Sequence, residues 1–114
     1  MHGFSSKSAM LLALALYIPI TLAAESAITI SSPKDGDKFK STAKIKIAYK
    51  ATLGGKGDHL HLFVDDQPEI MLQKLKGSYT LEPLAPGKHG ICIRIGDKDH
   101  AETGIQDCAM FRVE

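Results

Sequence analysis

Alternation of apolar and polar residues with a period of two is the feature that most constrains the fold of this chain. It is clearest in 43–50, 60–64, 91–95 and 109–113, where every second residue is apolar, and turn-forming clusters of Gly, Pro and Asp separate these stretches. The stretch 70–75 resembles a helical turn, but the Pro before it and the Gly after it favour a strand. About seven short strands with no helix of ordinary length predict an all-β, antiparallel β-sandwich.

One predicted strand has a face made of lysines. Lys44, Lys46 and Lys50 alternate with inward-facing apolar residues between positions 43 and 50. Charged side chains of this kind discourage edge-to-edge pairing of sheets. We therefore expect this strand to lie at or near a sheet edge.

The first 24 residues have the pattern of a secretory signal peptide. Lys7 is the one charged side chain before an apolar run from Leu11 to Leu22, and small residues follow it. The run of about twelve residues is too short for a bilayer, which needs roughly twenty. Cleavage is expected after Ala23 or Ala24. No Cys stands at that cleavage site, so we expect no lipid anchor there. The sequence thus predicts a signal peptide at 1–24, a single β-sandwich domain at 25–114, a periplasmic or secreted location, and no membrane anchor after cleavage.

The charge balance excludes two classes of function. Without Lys7 the chain has 13 basic residues against 13 acidic ones. A nucleic-acid-binding domain would carry a basic patch or stripe, and an electrostatic membrane binder would carry a polybasic segment. We expect neither nucleic acid nor a membrane surface as a partner.

Cys92 and Cys108 form an even pair in a chain that we expect to be exported. In an oxidising compartment such a pair predicts a disulfide, and no Cys-x-x-Cys motif supports a metal or redox role. If the two face each other across a hairpin, Ile93 lies opposite Asp107 on the inner side, which is an unfavourable position for a carboxylate. Either a bulge lies near Asp107 or the pairing is offset by one residue.

Several short motifs resemble known secreted domains. The segment Ser32-Pro33-Lys34-Asp35-Gly36-Asp37 is similar to the opening of many bacterial immunoglobulin-like domains. A His-Leu-His-Leu strand at 59–62, a Pro-Gly-Lys-His turn at 86–89 and Gly96-Asp97 with His100 resemble a family of small secreted bacterial domains of unknown function. The resemblance covers essentially all of 25–114. It implies an immunoglobulin/fibronectin-III-like β-sandwich and implies no activity.

The placement of the histidines points to metal chemistry. His59 and His61 are two residues apart on a predicted strand, so both project from one face with Cα atoms about 6.5–7 Å apart. In an immunoglobulin-like sandwich the third and sixth strands are antiparallel neighbours, so the start of the third lies beside the end of the sixth. His100 follows the predicted sixth strand, and we expect it to meet His59 and His61. His89 begins that strand and is expected at the opposite end, as a corner residue.

The expected site is a histidine cluster with an acidic ligand. Asp97 and Asp99 lie in the same loop as His100 and are candidates to complete the ligand shell. Imidazole suits copper, zinc, nickel and iron, and export favours copper or zinc. Met110 could supply a soft ligand for Cu(I), but its position along the last strand is toward the wrong end. A His-x-His pair is also common as two solvated imidazoles, so a metal-free site stays open.

No catalytic motif stands out, and we expect a non-enzymatic domain. The Gly-rich segment at 54–57 does not match a phosphate-binding loop, and no Gly-x-Ser-x-Gly pattern is present. Phe63 shares a strand face with His59 and His61. It is the candidate anchor for a protein partner if that face is exposed, and a core residue if the face is covered. The sequence therefore predicts a binding domain for copper or zinc or, as the alternative, a metal-free interaction or accessory module that binds an envelope protein.

Overall fold

The computed structural model describes residues 25–114, so the predicted signal peptide lies outside the described residues. Within that range the chain forms eight strands. They are β1 (Ala27–Ser32), β2 (Lys38–Phe39), β3 (Ile45–Thr52), β4 (His59–Val64), β5 (Ile70–Leu72), β6 (Lys76–Leu81), β7 (Gly87–Gly96) and β8 (Glu102–Val113). The strand predicted at 70–75 is formed by its first three residues only. Across 25–114 no helix is long and apolar enough to span a lipid bilayer.

Two sheets make up the structure, as the alternating pattern predicts. One has three strands in the order β1-β3-β6, and the other has five in the order β2-β8-β7-β4-β5. All neighbours are antiparallel except the two-residue β2, which runs parallel to β8. The central position of β7 places β4 on one side of it and β8 on the other.

The core lies between the sheets and is made of the apolar residues of each alternating pattern. Ile47, Leu62 and Ile93 are completely inaccessible to solvent. Because successive side chains of a strand point to opposite faces, the residues between them lie on the outer faces of the sheets. On β4 the outer face carries His59, His61 and Phe63.

The lysine-faced strand is not at an edge, so that expectation was wrong. It is β3, and it is paired with β1 on one side and with β6 on the other. Lys46 and Lys50 are exposed because the outer face of the three-stranded sheet is open to solvent. An alternating pattern shows which face of a strand is wet, but both central and edge strands can have one wet face.

The sequence left open whether a bulge lies near Asp107 or the pairing of β7 with β8 is offset by one residue. The pairing is not offset. Ile93 does lie opposite Asp107, and the register stays regular to the pair of Arg94 and Gln106 before it shifts ahead of Gly96. The Asp107 carboxylate accepts a hydrogen bond of 2.8 Å from the backbone N–H of Ile30, on the other sheet. Asp107 therefore satisfies a polar group where β1 has its own bulge.

The predicted disulfide between Cys92 and Cys108 is present. The two residues are directly opposite each other on β7 and β8, with Cα atoms 4.0 Å apart. Cys108 is exposed, so the bridge lies on the outer face of the five-stranded sheet. It joins the two longest strands of the domain.

Candidate metal centre

The antiparallel pairing of β4 with β7 brings the three candidate histidines together. His59, the first residue of β4, lies opposite Gly96, the last residue of β7. The loop that carries His100 begins at the next residue, Asp97. The start of one strand and the end of its neighbour thus meet at one end of the sandwich, as the sequence predicts.

The rings of the three histidines, His59, His61 and His100, lie close to one another. Their centroids are 4.5 Å apart for His59 and His61, 4.7 Å for His59 and His100, and 5.9 Å for His61 and His100. One nitrogen from each ring lies within 4.8 Å of the other two. The three residues therefore form one cluster of nitrogen donors.

Burial differs across the cluster. His61 is 2% exposed and is the only buried polar or charged residue among the described residues, although it lies on the outer face of its sheet. The side chain of His59 is 14% exposed, whereas His100 is open to solvent. An imidazole as deeply buried as His61 requires partners for its nitrogens, because water does not reach them.

Two of these nitrogens have no such partner. Nε2 of His59 and Nε2 of His61 are both buried, and neither makes a hydrogen bond within residues 25–114. An unsatisfied buried polar atom of this kind costs about 1–3 kcal/mol. Both atoms belong to the same cluster of three histidines.

The other nitrogen of each buried ring faces a carboxylate. Nδ1 of His59 is 2.9 Å from Oδ2 of Asp58, and Nδ1 of His61 is 3.3 Å from Oε2 of Glu69. The contact of His59 is a hydrogen bond, and a carboxylate that accepts one from Nδ1 fixes the proton there and leaves the lone pair on Nε2. Carboxylate partners orient metal-binding histidines in the same way and make them more basic.

The loop 97–101 holds His100 in position. One oxygen of Asp97 accepts hydrogen bonds from the backbone N–H groups of Asp99, at 2.8 Å, and Ala101, at 3.0 Å. His100 has a φ of 65°, a left-handed conformation that few residues other than Gly adopt. Asp97 thus organises the turn, while the side chain of Asp99 is exposed and lies outside the group of three histidines.

Gly96 leaves room for the ring of His59. A Cβ at this position would lie 3.2 Å from Nε2 and 3.6 Å from Cε1 of His59. That spacing is tighter than an ordinary van der Waals contact, so a side chain at position 96 would move the ring. The absence of a side chain at Gly96 therefore sets where one donor nitrogen lies.

The donor atoms lie farther apart than those around a coordinated ion. Two nitrogens each 2.0–2.1 Å from one tetrahedral ion are about 3.4 Å apart. The three donors lie within 4.8 Å of one another, so binding of an ion would require the rings to move closer together. Three imidazoles would leave at least one coordination position open to water or to another donor.

His89 lies outside this cluster, at the other end of β7. Its Nδ1 and Nε2 are each 2.6 Å from an acceptor, Oδ2 of Asp65 and the carbonyl oxygen of Ala85. Both nitrogens therefore donate, and the ring carries a positive charge in this arrangement. The bond to Asp65 first, and the bond to Ala85 second, raise the pKa of His89. His89 is a corner residue, as expected.

The aromatic ring of Phe63 is partly covered by neighbouring side chains. Its ring is half-buried, and the guanidinium carbon of Arg94 lies 4.5 Å from the ring centroid. The ring of His61 also lies near it, with centroids 6.3 Å apart and the planes almost perpendicular. Phe63 is therefore partly covered by its neighbours.

Three residues of the site were not among the candidates from sequence. Glu69 and Gly96 lie against the rings of His61 and His59, and Asp58 is hydrogen-bonded to Nδ1 of His59. Asp58 could have been found as the neighbour of the first histidine. Glu69 required the β4–β5 register, which the sequence pattern does not provide.

Comparison with known proteins supports the fold. No protein-family model matches the chain, and no curated protein sequence matches it at a significant level. The fibronectin(III)-like modules of Clostridium thermocellum CbhA match with a TM-score of 0.62 and 19% identity, over 79% of this chain and 47% of that chain. The extracellular domain of BT4673 from B. thetaiotaomicron matches with a TM-score of 0.58 and 14% identity, over 89% of this chain and 16% of that chain.

These similarities concern the fold alone, because the identities are low. They confirm the expected immunoglobulin/fibronectin-III-like β-sandwich. This chain spans less than half the length of either matched chain. The resemblance of its motifs to a family of small secreted bacterial domains stays a prediction.

Proposed function

We propose that this domain is an exported, non-enzymatic metal-binding module. It holds one transition-metal ion, copper or zinc, through Nε2 of His59 and His61 and a ring nitrogen of His100. The observation that carries the proposal is the pair of buried Nε2 atoms without hydrogen-bond partners, in a cluster whose donors lie within 4.8 Å. A bound ion would satisfy both atoms at once.

The chemistry of the donors supports this class of ion. Neutral imidazole is a ligand for zinc and copper, and the Nδ1 carboxylate partners keep the Nε2 lone pairs available. His100 would be the adjustable ligand, since it is exposed and belongs to a loop. Two of the three donors are therefore positioned before the ion arrives, which lowers the entropy cost of binding.

Export is supported by the disulfide. A bridge between Cys92 and Cys108 on an exposed sheet face is typical of proteins in an oxidising compartment. Together with the predicted signal peptide at 1–24, it favours a periplasmic or secreted location. In that location the site would meet metal ions outside the cytoplasm.

Calorimetric titration of the untagged, metal-free protein with Zn²⁺ and Cu²⁺ tests the proposal. We expect one ion per chain in the wild type. The double variant His59→Ala, His61→Ala should lose at least about 100-fold in affinity, since even changes to groups behind the ligands cost 10- to 100-fold. His89→Gln is the matched control, because it removes a histidine that lies outside the cluster.

Equal binding by the wild type and the double variant would overturn the proposal. So would a wild-type protein that binds neither ion stoichiometrically, which would favour a metal-free interaction module. Elemental analysis of the untagged protein recovered from the compartment to which it is exported gives an independent measurement.

A further inference from the structure

Met71 lies next to the histidine cluster, on the same face of the sheet. It is directly opposite His61 in the antiparallel pairing of β4 with β5. Cross-strand partners point to the same face, with Cβ atoms about 4.5–5.5 Å apart. Side chains alternate between the two faces of a strand, and the adjacent pair of Leu60 and Leu72 is buried in the core. His61 and Met71 must therefore lie on the outer face. Met71 thus projects outward beside the one deeply buried histidine.

The thioether of Met71 is free to move. The residue is 49% exposed, and it belongs to β5, a three-residue strand at the edge of the five-stranded sheet. Methionine is unbranched and has three rotatable side-chain bonds, so its sulfur can adapt to a neighbouring site.

We propose that Sδ of Met71 is a fourth ligand of this site and directs it to monovalent copper. This inference rests on the proposed function, because it needs the histidines to bind an ion. Thioether sulfur is a soft donor that selects Cu(I), whereas zinc sites in proteins use thiolate, imidazole and carboxylate ligands. Three imidazoles alone leave copper and zinc as alternatives, and the added sulfur distinguishes between them.

Met110 provides a matched control within the same molecule. It is 51% exposed and lies on the outer face of β8, in the same sheet. A Cβ built on Gly90 would lie 2.7 Å from Sδ of Met110, so this sulfur lies over the His89 end of β7. The two methionines therefore match in exposure and face but differ in their distance from the cluster.

Ag⁺ is a suitable probe, since it is a soft monovalent cation and needs no reductant that would endanger the Cys92–Cys108 bridge. Met71→Leu and Met110→Leu keep the side-chain volume nearly constant. We expect Met71→Leu to bind Ag⁺ at least about 10-fold more weakly than the wild type. Mutation of residues that only support a metal ligand already costs about that much affinity. Met110→Leu should bind Ag⁺ as the wild type does, and Zn²⁺ affinity should stay within about threefold in both variants.

X-ray absorption of the protein loaded anaerobically from a preformed Cu(I) complex, with no reductant added, gives a direct readout of the ligand. We expect copper–sulfur scattering in the wild type and in Met110→Leu, and its loss in Met71→Leu. Unchanged Ag⁺ affinity and no sulfur scattering would overturn the role of Met71 while the histidine site stood. Failure of every ion to bind would instead overturn the proposed function, and this inference with it.

Discussion

The ring of His59 lies against Gly96, the residue opposite it on β7. A Cβ at position 96 would come within 3.2 Å of Nε2 of His59, the atom proposed to bind metal. One glycine on β7 thus determines the position of a donor on β4. A substitution that adds only one carbon atom therefore tests the site.

Gly96→Ala should weaken metal binding about 10-fold without unfolding the domain. The added methyl group would displace the His59 ring by a few tenths of an ångström, and misplaced ligands bind metal less tightly. Zn²⁺ titration by calorimetry measures the change. Gly90→Ala is the control, since the close contacts of its Cβ would be with the flexible end of Met110, and neither glycine has a positive φ. Equal affinities in the two variants would contradict the expected role of Gly96.

Glu69→Gln should lower metal affinity by about 10-fold or more with little change in stability. The carboxylate faces Nδ1 of His61 at 3.3 Å, and its loss would make the opposite nitrogen a poorer donor. Glu82→Gln is the matched control, because Glu82 is also exposed and is paired instead with Lys44 on the other sheet. An affinity that is the same for both variants would show that Glu69 does not act through His61.

The contribution of His89 to stability should fall as the pH rises. Its hydrogen bonds to Asp65 and Ala85 raise its pKa in the folded state above the ordinary value, which is near 6.5. The stabilisation is therefore complete below that ordinary value and is lost as the pH passes through the raised, folded-state pKa.

Urea unfolding with a chelator present, at about pH 5.5 and about pH 8.5, measures this difference. The free energy of unfolding of the wild type should exceed that of His89→Gln by more at the lower pH. A gap that widened toward high pH would contradict the positive charge assigned to the ring. NMR titration of His89 would show the raised pKa directly.

Removal of the disulfide should destabilise the domain and spare the metal site. The bridge closes a loop with a sequence separation of 16, and the chain-entropy model gives about 3 kcal/mol for such a loop. The double variant Cys92→Ala, Cys108→Ala should lose about that free energy of unfolding in urea. Its metal affinity should stay within about threefold, because Cys92 lies opposite Phe63 rather than opposite the histidines.

The convergence of the histidines could be predicted because it depends only on strand direction. His59 begins one strand, and His100 follows a strand that is its antiparallel neighbour, so the two ends meet. Asp97 was predicted to be a ligand because it lies in the same loop as His100. The structure adds that its carboxylate holds the turn through two backbone N–H groups.

Residues across a second pairing could not be found in this way. Glu69 and Met71 lie near His61 because of the β4–β5 register, which the turn between the strands sets. The alternating pattern contains no information on that register for a strand as short as β5. The central position of β3 was missed for a related reason, since the order of strands in a sheet depends on long-range pairing.

The sequence by itself determined the alternation, the β-sandwich, the disulfide and the end of the domain where the histidines meet. These depend on the period of a strand, on redox chemistry and on antiparallel direction, all of which are local or topological. Three features of the site follow from the packing of the folded domain and were not predicted: the burial of His61, the two Nε2 atoms without partners in the described residues, and the room that Gly96 leaves for His59. Burial and cross-strand distances depend on how the faces pack, and that packing is a property of the whole fold.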